Sequence, residues 1–167
     1  MPAGATYEPL ATTTLAVANS DITFSSIPGT YTDLRVVFQG VANSGTMQAY
    51  MRLNGNTGSN YSYTILEGNG TTAASSRVTN DTAMYLSYES LNTTAPGLAI
   101  IDIFSYAGST NKTVLIQHSV DKNGSGRVAR SVQLFRSTSA ITTVLITGLG
   151  TNFGVGTTAT LYGIKAA

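Results

Sequence analysis

Alternation of apolar and polar residues at every second position is the feature that most limits how this chain can fold. Leu34, Val36 and Phe38 fall on one face of an extended strand. Arg35 and Gln39 fall on the opposite face. The same period, rich in Val, Ile, Tyr and Thr, recurs about every ten to fifteen residues, and the period of an amphipathic helix is almost absent. The sequence therefore predicts an all-β fold.

About eight to ten strands are predicted, the number found in a two-sheet antiparallel β-sandwich with jelly-roll-like order. A closed barrel is the alternative. The predicted strands are one within 10–24, then 34–39, 47–53, 61–66, 83–88, 98–106, 112–120, 128–136, 141–146 and 157–164. Asn54-Gly55 and Asn69-Gly70 predict tight hairpin turns, because Asn and Gly tolerate positive φ. Residues 68–80, with little charge and much Thr, Ala, Ser and Gly, are predicted to form a long exposed loop.

The chain has 167 residues, which fits one domain. Residues 1–9 hold two prolines and no alternation, so we expect an N-terminal arm outside a sandwich formed by residues 10–167. These first residues lack the Lys, Arg and apolar stretch of a secretory signal. Only 10% of residues are charged and the net charge is +1, which argues against nucleic acid or an anionic membrane as a partner. No apolar run approaches the length of a spanning helix.

The apolar phase of these strands predicts the core. Asp102 shares its phase with two of the predicted core residues, so it is a candidate for burial. The predicted core residues are Leu34, Val36, Phe38, Met51, Leu53, Ile100, Phe104, Leu134 and Leu161.

Few residues are suited to catalysis. The chain has no cysteine and one histidine, His118, which is in phase with Val114 and Ile116 and is interpreted as a hydrogen-bonded core residue. The eight acidic residues are scattered singly, which does not favour a carboxylate pair. We therefore expect no enzymatic activity and no cofactor.

Two glycine-rich stretches resemble ligand loops in part. Residues 121–126 (DKNGSG) match the first half of a calcium loop, but Val132 stands where the bidentate carboxylate belongs. A hairpin turn without a metal is predicted there. Residues 148–154 (GLGTNFG) resemble a dinucleotide-binding loop up to Phe153, which takes the place of its third glycine, and are interpreted as a connection between strands.

Nine tyrosines and no tryptophan are the most distinctive side chains. Tyrosine combines a flat apolar ring with a hydroxyl, which suits sugar stacking or a protein interface. The alternative is that Tyr61 and Tyr63 share one strand face and cover the edge of the sandwich. The candidate interface residues are the arm residues Met1, Pro2, Ala3, Gly4, Ala5, Thr6 and Tyr7, together with Tyr61, Tyr63, Tyr85 and Tyr88.

Several short blocks resemble small virion proteins of tailed bacteriophages. In the C-terminal third these are 136–142 (RSTSAIT), 152–157 (NFGVGT) and 161–165 (LYGIK). In the middle of the chain they are 52–55 (RLNG) with 61–62 (YS), and 102–106 (DIFSY) with 112–113 (KT). The resemblance implies no catalytic or ligand-binding residues.

The resemblance implies a non-enzymatic structural role in a phage particle assembled in the bacterial cytoplasm. The favoured role is a capsid decoration (cement) protein that bridges and stabilises neighbouring shell subunits. The expected partners are other virion proteins, such as the major capsid protein, and further copies of the chain in a homo-oligomer, with a trimer favoured. The alternative is a tail- or baseplate-associated protein that binds a receptor or carbohydrate. An enzyme is the third class, and this sequence has few residues with which to build one.

Overall fold

The computed structural model describes residues 6–87 and 90–165, which form strands and turns. No helix in this part of the chain is long and apolar enough to cross a membrane. The described residues form twelve strands: β1 (Tyr7–Thr14), β2 (Asp21–Phe24), β3 (Asp33–Gly40), β4 (Gln48–Leu53), β5 (Tyr61–Gly68), β6 (Ala73–Asp81), β7 (Met84–Tyr85), β8 (Gly97–Ile103), β9 (Lys112–Asp121), β10 (Gly126–Phe135), β11 (Val144–Leu149) and β12 (Thr158–Ile164).

Two antiparallel sheets make up the fold. The large sheet has the order β1-β12-β3-β8-β9-β10-β5-β6, and the small sheet has the order β2-β11-β4-β7. The first four strands of the large sheet, taken with the small sheet, have the strand order of a jelly roll. The predicted two-sheet sandwich with jelly-roll-like order is therefore confirmed. The hairpins β9–β10 and β5–β6 widen the large sheet beyond the jelly roll, and we call these four strands the extension.

The main core lies between the two sheets. Six of the predicted core residues are buried there, namely Leu34, Val36, Phe38, Met51, Leu53 and Leu161. The prediction is wrong for Ile100 and Leu134, which lie on the outer face of the large sheet, and for Phe104, which lies in the turn after β8. In β8 both faces are apolar, so alternation could not decide which face points inward. The β8 residues that point inward and are buried are Ala99, Ile101 and Ile103.

Two other predictions are corrected by strand pairing. Residues 73–81 form the edge strand β6, paired with β5, instead of part of a long loop. Residues 7–9 belong to β1 and pair with β12, so the arm cannot extend to residue 9. A register shift next to Pro9 accommodates the missing backbone donor on this edge strand. The preceding residues 1–5 lie outside the described part of the chain.

Both Asn-Gly dipeptides form tight turns. Asn69 N donates to Thr72 O at 3.2 Å and closes the β5–β6 hairpin. Asn54 and Gly55 have φ values of 51° and 63°, but their turn leads from the small sheet to the large sheet and does not close a hairpin. The Asn54 side chain instead accepts from Thr142 N at 2.8 Å and so anchors the connection that precedes β11.

Candidate functional site: an apolar groove on the outer face of the extension

The predicted interface tyrosines of β5 lie inside the protein. Tyr61 is fully buried and stacks on Phe135, with ring centroids 4.8 Å apart. Tyr63 is buried in a small second cluster with Ile65 and Ala129. They share one strand face, and neither presents its ring to a partner. The hydroxyl of Tyr61 does not prevent burial, because it is hydrogen-bonded to backbone groups.

The other predicted interface residues are dispersed. Tyr85 is partly buried between Tyr63 and Tyr50, with ring centroids 5.4 and 4.5 Å away. Tyr7 is exposed on edge strand β1, where its hydroxyl accepts from Arg35 at 3.0 Å, and Thr6 is exposed beside it. The structure does not bring these residues together into one surface. Tyr88 and the arm residues Met1, Pro2, Ala3, Gly4 and Ala5 lie outside the described residues.

Strand β10 carries the clearest signal of a contact surface, because aliphatic side chains lie on its outer face while polar side chains are buried on its inner face. Val128 and Val132 are exposed on the outer face. Ser131 and Gln133, which are polar, are buried on the inner face. A strand with one solvated face normally has the opposite pattern. Such a local inversion is expected where a sequence is selected for function as well as folding.

Polar contacts on the inner face hold β10 in this orientation. Gln133 Nε2 donates to Tyr85 O at 2.8 Å and to Ser131 Oγ at 3.0 Å. Arg127 Nη1 forms an ion pair with Glu67 Oε2 at 2.6 Å, and both side chains are largely buried. The inner side of β10 is therefore bonded to neighbouring elements, and its aliphatic side chains remain at the surface.

The aliphatic side chains of β10 form a patch with one leucine from β5 and one from β8. The patch spans the four adjacent strands β8, β9, β10 and β5. Leu66, Leu98, Val128 and Val132 are between 41% and 64% exposed. Strand register places Leu98 and Val128 on either side of Ser119, and places Leu66 beside Arg130. Four such side chains expose on the order of 300 Å² of apolar surface, the size of the largest apolar patch on a typical monomer, which is often functional.

The patch is concave. A groove of about 510 Å³ lies on the outer face of the extension, and Leu66, Leu98 and Val128 line its sides. Gln117 and Ser119 of β9, whose side chains are polar, lie between them and form the floor of the groove. Arg130 lines the groove with an exposed side chain. We call this concavity the apolar groove.

The predicted hairpin at residues 121–126 forms one end of this face. Lys122 N donates to Ser125 O at 2.7 Å, and Asp121 Oδ1 accepts from Asn123 N at 2.8 Å. Asn123 and Gly124 both have positive φ, which explains why Asn and Gly stand here. A second concavity, lined by this hairpin and by Pro96, continues from the apolar groove. The hairpin turn is confirmed.

Two titratable residues of the groove lining, Glu67 and His118, have largely buried side chains. His118 is buried on the inner face of β9, as the phase of its strand predicted. Asp102 faces outward but is held by Arg35, with Nε–Oδ1 2.6 Å and Nη2–Oδ2 2.9 Å, and this hydrogen bonding raises the pKa of Arg35. Lys112 is fully buried, which lowers its pKa, and its Nζ donates to the carbonyls of the turn after β8. Within residues 6–87 and 90–165, no three His, Asp or Glu side chains could together hold a metal ion.

Comparison with known proteins gives no assignment for this site. No family model, curated protein or solved structure matches the chain. The interpretation of the groove therefore rests on its own geometry. The sequence analysis misses the groove because it predicts Leu134, which is in phase with Val128 and Val132, to lie in the core.

Proposed function

We propose that this chain is a non-enzymatic structural subunit of a phage particle that uses the apolar groove to contact neighbouring subunits. The favoured role is capsid decoration, in which the chain bridges and stabilises shell subunits such as the major capsid protein. The observation that carries the proposal is the inverted strand β10, with Val128 and Val132 at the surface and Gln133 buried. Exposed aliphatic side chains in a folded monomer are stabilised when a partner removes them from water.

The rest of the molecule is consistent with assembly. With 10% charged residues, contact with a partner requires little desolvation of charge. Many identical weak contacts in a closed shell add up through multivalency, so no single contact needs high affinity. Homo-oligomerisation, with a trimer favoured, and contact of the N-terminal arm with neighbouring subunits remain predictions.

A receptor- or carbohydrate-binding role is the second candidate. Tyr50 and Tyr85 are partly exposed on the outer face of the small sheet, and Tyr50 donates to Gln48 Oε1 at 2.8 Å. An aromatic ring beside an amide side chain is a combination that binds sugars. The two rings pack on each other at 4.5 Å, so less ring surface is available to a sugar.

Incorporation into particles tests the proposed function. Particles would be assembled with the parent chain, with Val128→Lys, or with the matched control Thr138→Lys, which changes an exposed residue in the connection between β10 and β11. We expect the parent and the control to be incorporated equally and Val128→Lys to be lost from the particles. Normal incorporation of Val128→Lys would contradict the groove's role. Binding of glycans by the isolated parent, abolished by Tyr50→Ala, would favour the second candidate.

A further inference from the structure

A second exposed apolar cluster lies at one end of the jelly roll. Val17 lies in the connection between β1 and β2, Leu149 ends β11, and Val155 lies in the connection between β11 and β12. These side chains are between 59% and 71% exposed. We call these three residues the apolar knob. Val17 and Val155 lie in connections and Leu149 lies on the outer face of the small sheet, whereas the apolar groove is recessed in a face of the large sheet.

Backbone pairing supports the apolar knob. Gly156 N donates to Leu15 O at 2.9 Å, which joins the two connections. Asn19 and Phe153 form a β-bridge, and Phe153 is buried against Phe38 with ring centroids 5.5 Å apart. The two loops are thus tied to each other and to the core. Connections that are fixed in this way lose less conformational entropy on binding than a loose loop does.

The knob and the groove carry opposite charges. Asp21 pairs with Thr147 and is exposed on the same outward face as Leu149. Arg130 lines the apolar groove beside Leu66. A carboxylate beside the apolar knob and a guanidinium beside the apolar groove favour one relative orientation over others.

We infer that copies of this chain associate head to tail, with the apolar knob of one copy in the apolar groove of the next and Asp21 facing Arg130. This inference rests on the proposed function and deepens it by naming a second copy as the occupant of the groove. The two surfaces differ in shape and charge, so the contact is heterologous. Each copy then has one surface of each kind, and association continues until a ring closes or a filament grows.

Mixing two single variants tests this arrangement. Val128→Lys places a charge in the apolar groove and leaves the apolar knob unchanged. Leu149→Lys places a charge in the apolar knob and leaves the apolar groove unchanged. Both positions are exposed, so the variants should fold, which far-UV circular dichroism and melting temperature will check. Sedimentation velocity then gives the mass of each variant alone and of the equimolar mixture. Thr138→Lys is the matched control.

We expect the parent and the control to form oligomers and each variant alone to be monomeric, with association weakened roughly tenfold or more. The mixture should form a dimer and nothing larger, because it contains one intact knob and one intact groove per pair. A mixture that stays monomeric, or a parent that is monomeric at the same concentration, would overturn the inference. As a second measurement, Asp21→Arg and Arg130→Asp should each weaken association, and the chain with both changes should regain it.

The two proposals fail in different ways. If the parent is monomeric in solution but Val128→Lys is still lost from particles, the groove receives another virion protein. The head-to-tail inference is then wrong and the proposed function stands. If Val128→Lys is incorporated normally, the groove's role in the particle is wrong whatever the oligomeric state.

Discussion

Replacement of Tyr61 by phenylalanine tests whether this residue is a core bridge or an interface residue. The Tyr61 hydroxyl accepts from Leu53 N at 3.2 Å and donates to Asn56 O at 3.0 Å. Leu53 is fully buried, so removal of the hydroxyl leaves a backbone donor without this acceptor and away from water. Loss of such a bond costs about 2 kcal/mol, which lowers the melting temperature of a domain of this size by roughly 4 to 8 °C.

Thermal unfolding followed by far-UV circular dichroism measures this change. Tyr162→Phe, on the outer face of the large sheet, is the matched control and should melt within about 1 °C of the parent, as surface substitutions usually do. The reasoning is refuted if Tyr61→Phe melts as the parent does. If Tyr61→Phe melted as the parent does but weakened self-association, Tyr61 would be an interface residue, as the sequence analysis predicts.

Three further predictions follow from burial. Ile103→Ala should destabilise the fold by about 2 to 5 kcal/mol, whereas Phe104→Ala should cost less than about 1 kcal/mol, because only Ile103 is buried; equal losses in urea unfolding would contradict this assignment. Lys112→Met should cost about 1 to 3 kcal/mol, because two turn carbonyls lose their donor, and an unchanged urea midpoint would contradict it. Burial raises the pKa values of three phenols, so above about pH 10 the folded state holds more protons than the unfolded state and stability should fall as pH rises. The part of the phenolate absorbance that comes from these three phenols should then appear only with unfolding, and ionisation of all the phenols in the folded protein would show that the three are accessible. The three residues are Tyr50, Tyr61 and Tyr106.

Alternation predicted the strands well because each half-buried strand must separate apolar from polar side chains. Strand β3, with Leu34 and Val36 inward, is such a case. Alternation failed to orient β8, where both faces are apolar, and β10, where both faces mix apolar and polar residues. It also missed β6, because an edge strand exposed on both faces has no apolar phase to detect.

The candidate site could not be predicted from local pattern. The apolar groove combines residues of the consecutive strands β8, β9 and β10 with residues of β5, which pairs with β10 across a long stretch of sequence. The tyrosines predicted an interface at a different place, because the amphipathic tyrosine side chain suits a buried position in the core as well as an interface. In hindsight the signal was present in residues 131–134, where Val132 and Leu134 alternate with Ser131 and Gln133, the two polar residues that the fold buries.

A density map of the intact particle tests the central claim most directly. The account predicts that the chain occupies repeated positions on the particle, with the outer face of the extension, including Leu66, Leu98 and Val128, buried against a neighbouring subunit. The account is contradicted if the chain is absent from the particle, or if it is present with that face open to solvent.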